Sequence, residues 1–238
     1  GMCRMSPLWT AHEVAMAVRG TVHGDFSAQG VTFDSREVGA GDLFIALKGE
    51  ATDGHRYLDQ ARERGAAGLL VSEPVDAPHV LVGDTFAALN ALGAAARDRS
   101  PALRIGVTGS VGKTGVKEAL RASLSRFAPD VVHASVKSYN NHVGVPLSLA
   151  RMPRDSRFGV FEMGMNHAGE LSTLTQLVRP QIAVVTWVAS AHREFFATEA
   201  DIADAKAEIF EGLPAGGTAI IPHDNPHRDR LIAAARRH

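Results

Sequence analysis

Arg104-Ile-Gly-Val-Thr-Gly-Ser-Val-Gly-Lys-Thr114 is the stretch on which the reading of this chain turns. Gly106, Gly109 and Gly112 recur every three residues ahead of Lys113 and Thr114. The apolar run Leu103 to Val107 reads as a strand feeding a turn that opens a helix. Each residue type has a physical reason. Glycine has no Cβ, so backbone N–H groups can close around a phosphate, and the helix start adds the positive end of its dipole. From there a lysine at 113 reaches terminal phosphates and a hydroxyl at 114 sits on Mg²⁺. The usual spacing would place a further glycine where Val107 stands, so the loop is a variant, T-G-S-x-G-K-T.

Downstream of the loop the chain alternates strand and helix. Strands are predicted near 103–108, 130–134, 157–162, 182–188 and 217–221, and helices near 113–127, 144–150, 168–178, 199–212 and 226–237. The runs Phe158–Phe161 and Ile182–Val188 have few polar interruptions, as strands covered on both faces do. That rhythm predicts a mostly parallel sheet flanked by helices. Upstream, a helix over 8–18, short strands at 30–33 and 43–47, a helix at 56–64, strands at 68–71 and 79–82 and a long helix at 85–99 suggest a smaller α/β unit. Ser100-Pro101 marks a plausible hinge, which divides the chain into 1–100 and 101–238.

Composition narrows the class of function. The chain has 238 residues, 45% of them hydrophobic, enough for two globular domains. A net charge of −1 gives no electrostatic reason to expect nucleic acid. The single cysteine, Cys3, excludes an internal disulfide and a multi-cysteine zinc site, and fits a reducing compartment. No segment has the apolar length of a membrane span or the build of a signal peptide, so the expected location is the cytoplasm. Gly1 ahead of Met2 reads as a residual tag residue.

In an open parallel sheet the chemistry gathers at the carboxyl ends of the strands. Glu162 closes the apolar strand Phe158-Gly-Val-Phe-Glu162, and a buried carboxylate must be paired or bind a metal. It stands where phosphate-binding-loop enzymes carry an acidic Mg²⁺ ligand; a structural salt bridge is the alternative. His192 follows the strand 182–188 in Ala191-His-Arg-Glu194. Thr198 and Asp201 form a capping pattern for the helix that begins at Glu199. On that helix Lys206 falls on the apolar stripe of Ile202, Ala205, Ile209 and Phe210. Either its amine snorkels to water, or it is desolvated, with a lowered pKa that opens it to reaction with CO₂ to give an anionic, metal-ligating carbamate.

Together with the loop, Tyr139-Asn-Asn-His-Val-Gly-Val-Pro146, Glu162-Met-Gly164, Ala191-His-Arg-Glu194 and Ala203-Asp-Ala-Lys-Ala-Glu-Ile-Phe210 resemble the Mur ligase family. In the first unit Val31-Thr-Phe-Asp-Ser-Arg36, Gly41-Asp-Leu-Phe-Ile-Ala46, Lys48-Gly49 and Asp53-Gly-His55 resemble its UDP-binding domain. The resemblance covers essentially the whole chain. It implies an ATP-dependent amide ligase of peptidoglycan precursor synthesis that phosphorylates a substrate carboxylate and lets an amine attack the acyl phosphate. The type most resembled joins D-alanyl-D-alanine to a UDP-N-acetylmuramoyl-tripeptide, and a monomer is expected.

Carried over residue by residue, the resemblance implies an ATP site at Thr108, Gly109, Ser110, Val111, Gly112, Lys113 and Thr114. It implies one Mg²⁺ at Thr114 and Glu162, and a second at His192 and a carbamylated Lys206, with Lys113, Glu162, His192 and Lys206 as the catalytic set. Asn140 and Asn141 would present amides to substrate and nucleotide, and Ser35, Arg36 and Lys48 would meet the uridine diphosphate. Gly115, Trp187 and Ala197-Thr198 depart from the family's usual residues. The family's third, Rossmann-like C-terminal domain has no counterpart here, so a fragment with little or no ligation is expected. Two other readings stay open: a sister ligase of the same superfamily, such as one adding a single amino acid or folylpolyglutamate synthase, and a non-catalytic nucleotide- or precursor-binding module.

Overall fold

The computed structural model describes residues 6–137, 139–191 and 194–238. Gly1, Met2, Cys3 and His192 lie outside the described residues. Two compact units result, Gly1–Ala96 and Arg97–His238.

The first unit runs β1 (Trp9–Thr10), α1 (Ala11–Val18), β2 (Thr21–His23), β3 (Ser27–Ala28), β4 (Gly30–Thr32) and β5 (Asp42–Ile45). A 3-10 turn at Gly54–Tyr57, α2 (Leu58–Glu63), β6 (Gly68–Val71), β7 (His79–Leu81) and α3 (Thr85–Asp98) follow. Its sheet has the order β2-β7-β6-β5-β4, and only β2 is antiparallel to its neighbour. Thr10 starts α1 with a capping box to Glu13, so the helix predicted over 8–18 gives its first residues to a short ribbon between β1 and β3. β1 and β3 have two residues each and β2 exposes all three of its residues, so none of them leaves an apolar run in the sequence.

The second unit runs β8 (Leu103–Thr108), α4 (Lys113–Phe127), β9 (Val132–Ala134), α5 (Gly144–Ala150), β10 (Phe158–Glu162), α6 (Glu170–Val178) and β11 (Ile182–Val185). It continues with α7 (Glu199–Ala207), a 3-10 turn at Glu208–Gly212, β12 (Thr218–Ile220) and α8 (Arg228–Ala235). The five strands are all parallel, in the order β12-β11-β8-β10-β9. Alternate residues feed two cores. Ile105, Val107, Val160 and Val184 pack with Val116, Leu120 and Leu124 of α4. Phe161, Ala183 and Val185 pack on the opposite face with residues of α5, α6, α7 and α8. Burial on both faces is the reason these strands read as unbroken apolar runs.

The chain leaves β8 toward β9 on one side, and later leaves β10 to lay β11 on the other side of β8. Connections that diverge in this way open a crevice at the carboxyl ends of β8 and β10, where Thr108 and Glu162 sit.

His133 on β9 supplies a pH test of this packing. Its Nε2 donates to the Ser148 carbonyl at 2.7 Å and its ring lies 5.9 Å from that of Phe161. Burial, reinforced by the Arg151 charge, lowers its pKa from 6.5 to about 4. Below pH 6.5 the unfolded chain takes up a proton that the folded chain refuses, so stability falls as pH drops from 6.5 to 4, by about 2–3 kcal/mol. His133→Gln, which keeps an N–H for Ser148, should flatten the denaturation midpoint across that window. An unchanged slope would show that the loss arises elsewhere.

Candidate functional site

β8 ends at Thr108 and α4 begins at Lys113, so the turn spans only four residues. Val107 is fully buried and paired in the sheet with both Glu162 and Val184. The strand therefore continues through the position where the general loop has its first glycine, and the turn starts two residues later. Gly109 takes φ +155 and Gly112 takes φ +83. A Cβ on Gly109 would lie 1.9 Å from the Thr186 hydroxyl, so close approach and backbone conformation both demand glycine there.

The turn is laced to the chain leaving β11. Ser110 N donates to the Trp187 carbonyl at 2.8 Å, and the Thr186 hydroxyl donates to the Val111 carbonyl at 2.6 Å. The Ser110 hydroxyl accepts from Ala189 N and donates to its carbonyl. Strand β11 therefore stops at Val185, short of the predicted 188, because Thr186 to Ala189 hold the loop instead of a neighbouring strand. Helix α4 has no side-chain cap, so its first-turn amides, which have no acceptor within the helix, face outward from a positive dipole end. Such a turn can receive a phosphate.

Glu162 is 0% exposed at the end of β10. Its backbone N donates to the Ser135 hydroxyl at 3.1 Å. The Thr114 hydroxyl donates to Oε1, while Oε2 is buried and has no hydrogen-bond partner among the described residues. The nearby strand-end hydroxyl of Thr108 is likewise buried and unpartnered. A buried carboxylate oxygen without a donor, beside a hydroxyl, is a donor set suited to a hard divalent cation. Among the described residues Glu162 forms no salt bridge, which counts against the structural ion pair.

Lys206 on α7 is 2% exposed, among Ile202, Ala205, Ile209 and Phe210. The side chain as a whole is almost fully withdrawn from water. Burial first, and the positive charge of Lys113 second, lower its pKa from 10.5 to about 8. Lys113, Thr114, Glu162 and Lys206 are thus drawn to one end of the sheet. The helix predicted over 199–212 divides at Ala207, where α7 passes into the 3-10 turn. Thr198 caps α7 with Asp201, the work a serine would do there.

Asn140 and Asn141 border the same crevice. Gly164, two residues past Glu162, donates from N to the Asn140 carbonyl at 2.8 Å, and a Cβ on Gly164 would lie 2.9 Å from the Asn140 side chain. The Asn141 side chain caps α5 through Gly144 N at 2.8 Å.

In the first unit the predicted residues have separate partners. The Ser35 hydroxyl donates to Gln60 at 3.1 Å. Exposed Arg36 makes a fork on Asp34, with Nε–Oδ1 at 3.0 Å and Nη2–Oδ2 at 2.9 Å. Lys48 faces Glu73 at 3.5 Å, both exposed. Asp53, His55 and Glu73 approach closely enough to suggest a metal cluster. The imidazole argues otherwise. His55 Nε2 accepts from Ser72 N at 3.0 Å, so the proton is on Nδ1 and is given to Asp53 at 2.7 Å. Neither ring nitrogen is left to ligate. The hydrogen bond from His55 N is the largest cause of Asp53's lowered pKa.

Sequence reasoning passed over Thr186, Ser135 and the fully buried Lys117. Lys117 alone left a signal, since it repeats Lys113 one helical turn later on the same face.

The chain is similar to known proteins of one family. The Mur ligase middle domain matches residues 107–238, and the catalytic domain of the Mur ligase family matches 27–122. UDP-N-acetylmuramoyl-tripeptide–D-alanyl-D-alanine ligase of Escherichia coli K12 is 42% identical over 219 residues, which are 91% of this chain and 48% of that protein. The crystal structure of MurF from Acinetobacter baumannii superposes with a TM-score of 0.86 at 33% identity, covering 97% of this chain and 51% of that one. MurF ligase from Thermotoga maritima, solved in complex with ADP, gives 0.69 at 30% identity, covering 87% of this chain and 48% of its own. The chain spans about half the length of the curated relatives it matches. With a family domain matched from the phosphate-loop strand to the last residue, and a second match upstream of it, the chain belongs to the Mur ligase family.

Proposed function

We propose that this chain is the precursor- and nucleotide-binding part of an ATP-dependent ligase that joins D-alanyl-D-alanine to UDP-N-acetylmuramoyl-tripeptide. The observation that carries this reading is the Thr114–Glu162 pair, with its orphaned carboxylate oxygen, beneath an uncapped helix start. Outward-facing amides of the loop and of α4 hold the phosphates of ATP, and the Lys113 ammonium neutralises charge on the γ-phosphoryl as it transfers to the tripeptide carboxylate. Thr114 and Glu162 hold a Mg²⁺, which when bound supplies charge neutralisation to the phosphate oxygens. Asn140 and Asn141 orient the reacting groups, and Ser35, Arg36 and Lys48 receive the uridine diphosphate. Phosphate departs when the dipeptide amine attacks the acyl phosphate. Calorimetric titration of Mg·ATP tests the reading. Binding to the wild-type chain, weakened about 30-fold or more in Lys113→Met, is expected; equal affinity in both would refute it.

Lys206 is proposed to carry a carbamate that completes a second Mg²⁺ position with His192. At pH 7.5 a pKa of about 8 leaves roughly a quarter of the amine neutral, against about 0.1% for an ordinary lysine, so reaction with CO₂ is accessible. Confining the ammonium costs about 3 kcal/mol below pH 8, a cost relieved as pH rises toward 10.5. Lys206→Met should therefore unfold at higher denaturant than CO₂-free wild type at pH 7, with the gap closing between pH 8 and 10.5. Wild-type binding of Mg·ATP should tighten with added bicarbonate, and the variant's should not. A gap independent of pH would contradict the assignment.

A further inference from the structure

Lys117 is 1% exposed, yet among the described residues it forms no ion pair with a buried carboxylate. Its Nζ donates to the backbone carbonyl of Lys137 at 2.8 Å, and the nearest acidic oxygen, on half-exposed Glu118, is 3.6 Å away. Lys117 lies four residues after Lys113 and three after Thr114, so it leaves α4 on their face, one turn below the phosphate end. Lys137 adopts φ +52, a conformation that costs a non-glycine residue and persists where the surroundings hold it.

The chain on either side of the Lys137 carbonyl is also fastened to the site. At one end the Ser135 hydroxyl accepts from Glu162 N at 3.1 Å. At the other, the Asn140 carbonyl accepts from Gly164 N and the Asn141 side chain from Gly144 N, each at 2.8 Å. A Cβ on Gly144 would lie 2.6 Å from the Tyr139 carbonyl carbon, so the turn sits directly on α5. An ammonium committed to this carbonyl links the helix that carries Lys113 and Thr114 to the turn that carries Asn140 and Asn141.

We propose that Lys117 is a positioning residue: through the Lys137 carbonyl it sets Asn140 and Asn141 in register with the phosphate loop, so that substrate-facing amides and the nucleotide site form one rigid assembly. The assignment rests on the proposed role of the two asparagines. The test compares the 238-residue chain with Lys117→Met and Lys117→Arg by amide hydrogen exchange. In Lys117→Met the Gly164 and Gly144 amides, which report the docked turn, should exchange about tenfold faster or more, while Met163 N–H, donated at 2.8 Å to the Val107 carbonyl, stays within about twofold. Lys117→Arg, which can still reach the carbonyl, should restore most of the protection. Unchanged exchange at Gly164 and Gly144, or equal acceleration at all three amides, overturns the proposal. With Mg·ADP as probe, wild type should show shifts of the Asn140 and Asn141 side-chain amides. Lys117→Met should bind it within about threefold of wild type without those shifts. A loss of affinity beyond about tenfold would place Lys117 in the phosphate site itself and also overturn the proposal. If wild type binds no Mg·ADP, the nucleotide reading fails, and the exchange measurements still decide the role of Lys117.

Discussion

Glu162→Gln is expected to remove most of the Mg²⁺-dependent part of ATP affinity, about 100-fold, without lowering the stability of the metal-free protein. The two halves of that expectation have one cause. Glu162 is wholly buried, one oxygen takes the Thr114 hydroxyl, and the other has no partner among the described residues. A charge confined in this way costs several kcal/mol unless something cationic compensates. The amide keeps the shape and the acceptor for Thr114 but discards the charge, so the empty site should be no worse and the loaded site much weaker. Paired titrations with and without Mg²⁺, beside denaturant melts, check both. A variant that retains the Mg²⁺ dependence, or that loses more than about 2 kcal/mol of stability, would return Glu162 to a structural role.

Gly109→Ala is expected to destabilise the second unit by about 2–4 kcal/mol and to weaken Mg·ATP binding at least tenfold. Its Cβ would fall 1.9 Å from the Thr186 hydroxyl at a φ of +155. Relief by moving Thr186 would release the Val111 carbonyl it holds at 2.6 Å, so the clash cannot be settled without opening the loop. Gly115→Ala is the contrast. A Cβ there meets nothing within 4 Å, and in the first turn of α4 alanine is the better helix former. That variant should melt at the same temperature or higher, by the equivalent of about 0.5–1 kcal/mol. Equal destabilisation by both alanines would show that neither the close approach nor the φ at 109 matters.

The second unit was legible because its signals are local and strong. The loop's glycines, the apolar runs of β10 and β11 and the Thr198 cap each carry their own physics, and the helix over 113–127 lies where the pattern put it. Lys206 was readable as a polar residue on an apolar stripe, but its burial depends on the neighbours that close over it, and local spacing does not contain them. The loop's fastening to Thr186, Trp187 and Ala189 joins residues more than 70 positions apart. Such contacts leave no periodic trace. The first unit was harder to read for the opposite reason: the two-residue β1 and β3 and the exposed β2 leave no apolar run, and the D-G-H run at 53–55 resolves into a tautomer-fixing network only once Ser72 is beside it. Expectations for His192 lie outside the described residues.

All of the proposed chemistry depends on a divalent cation being held between α4 and the end of β10. Crystals grown with ADP and Mn²⁺, measured for anomalous scattering, address that point directly. The expected result is a manganese peak touching both the Thr114 hydroxyl and the free Oε2 of Glu162, with the diphosphate on the amides of residues 111–114. A bound nucleotide whose manganese peak lies away from Glu162 would contradict the account.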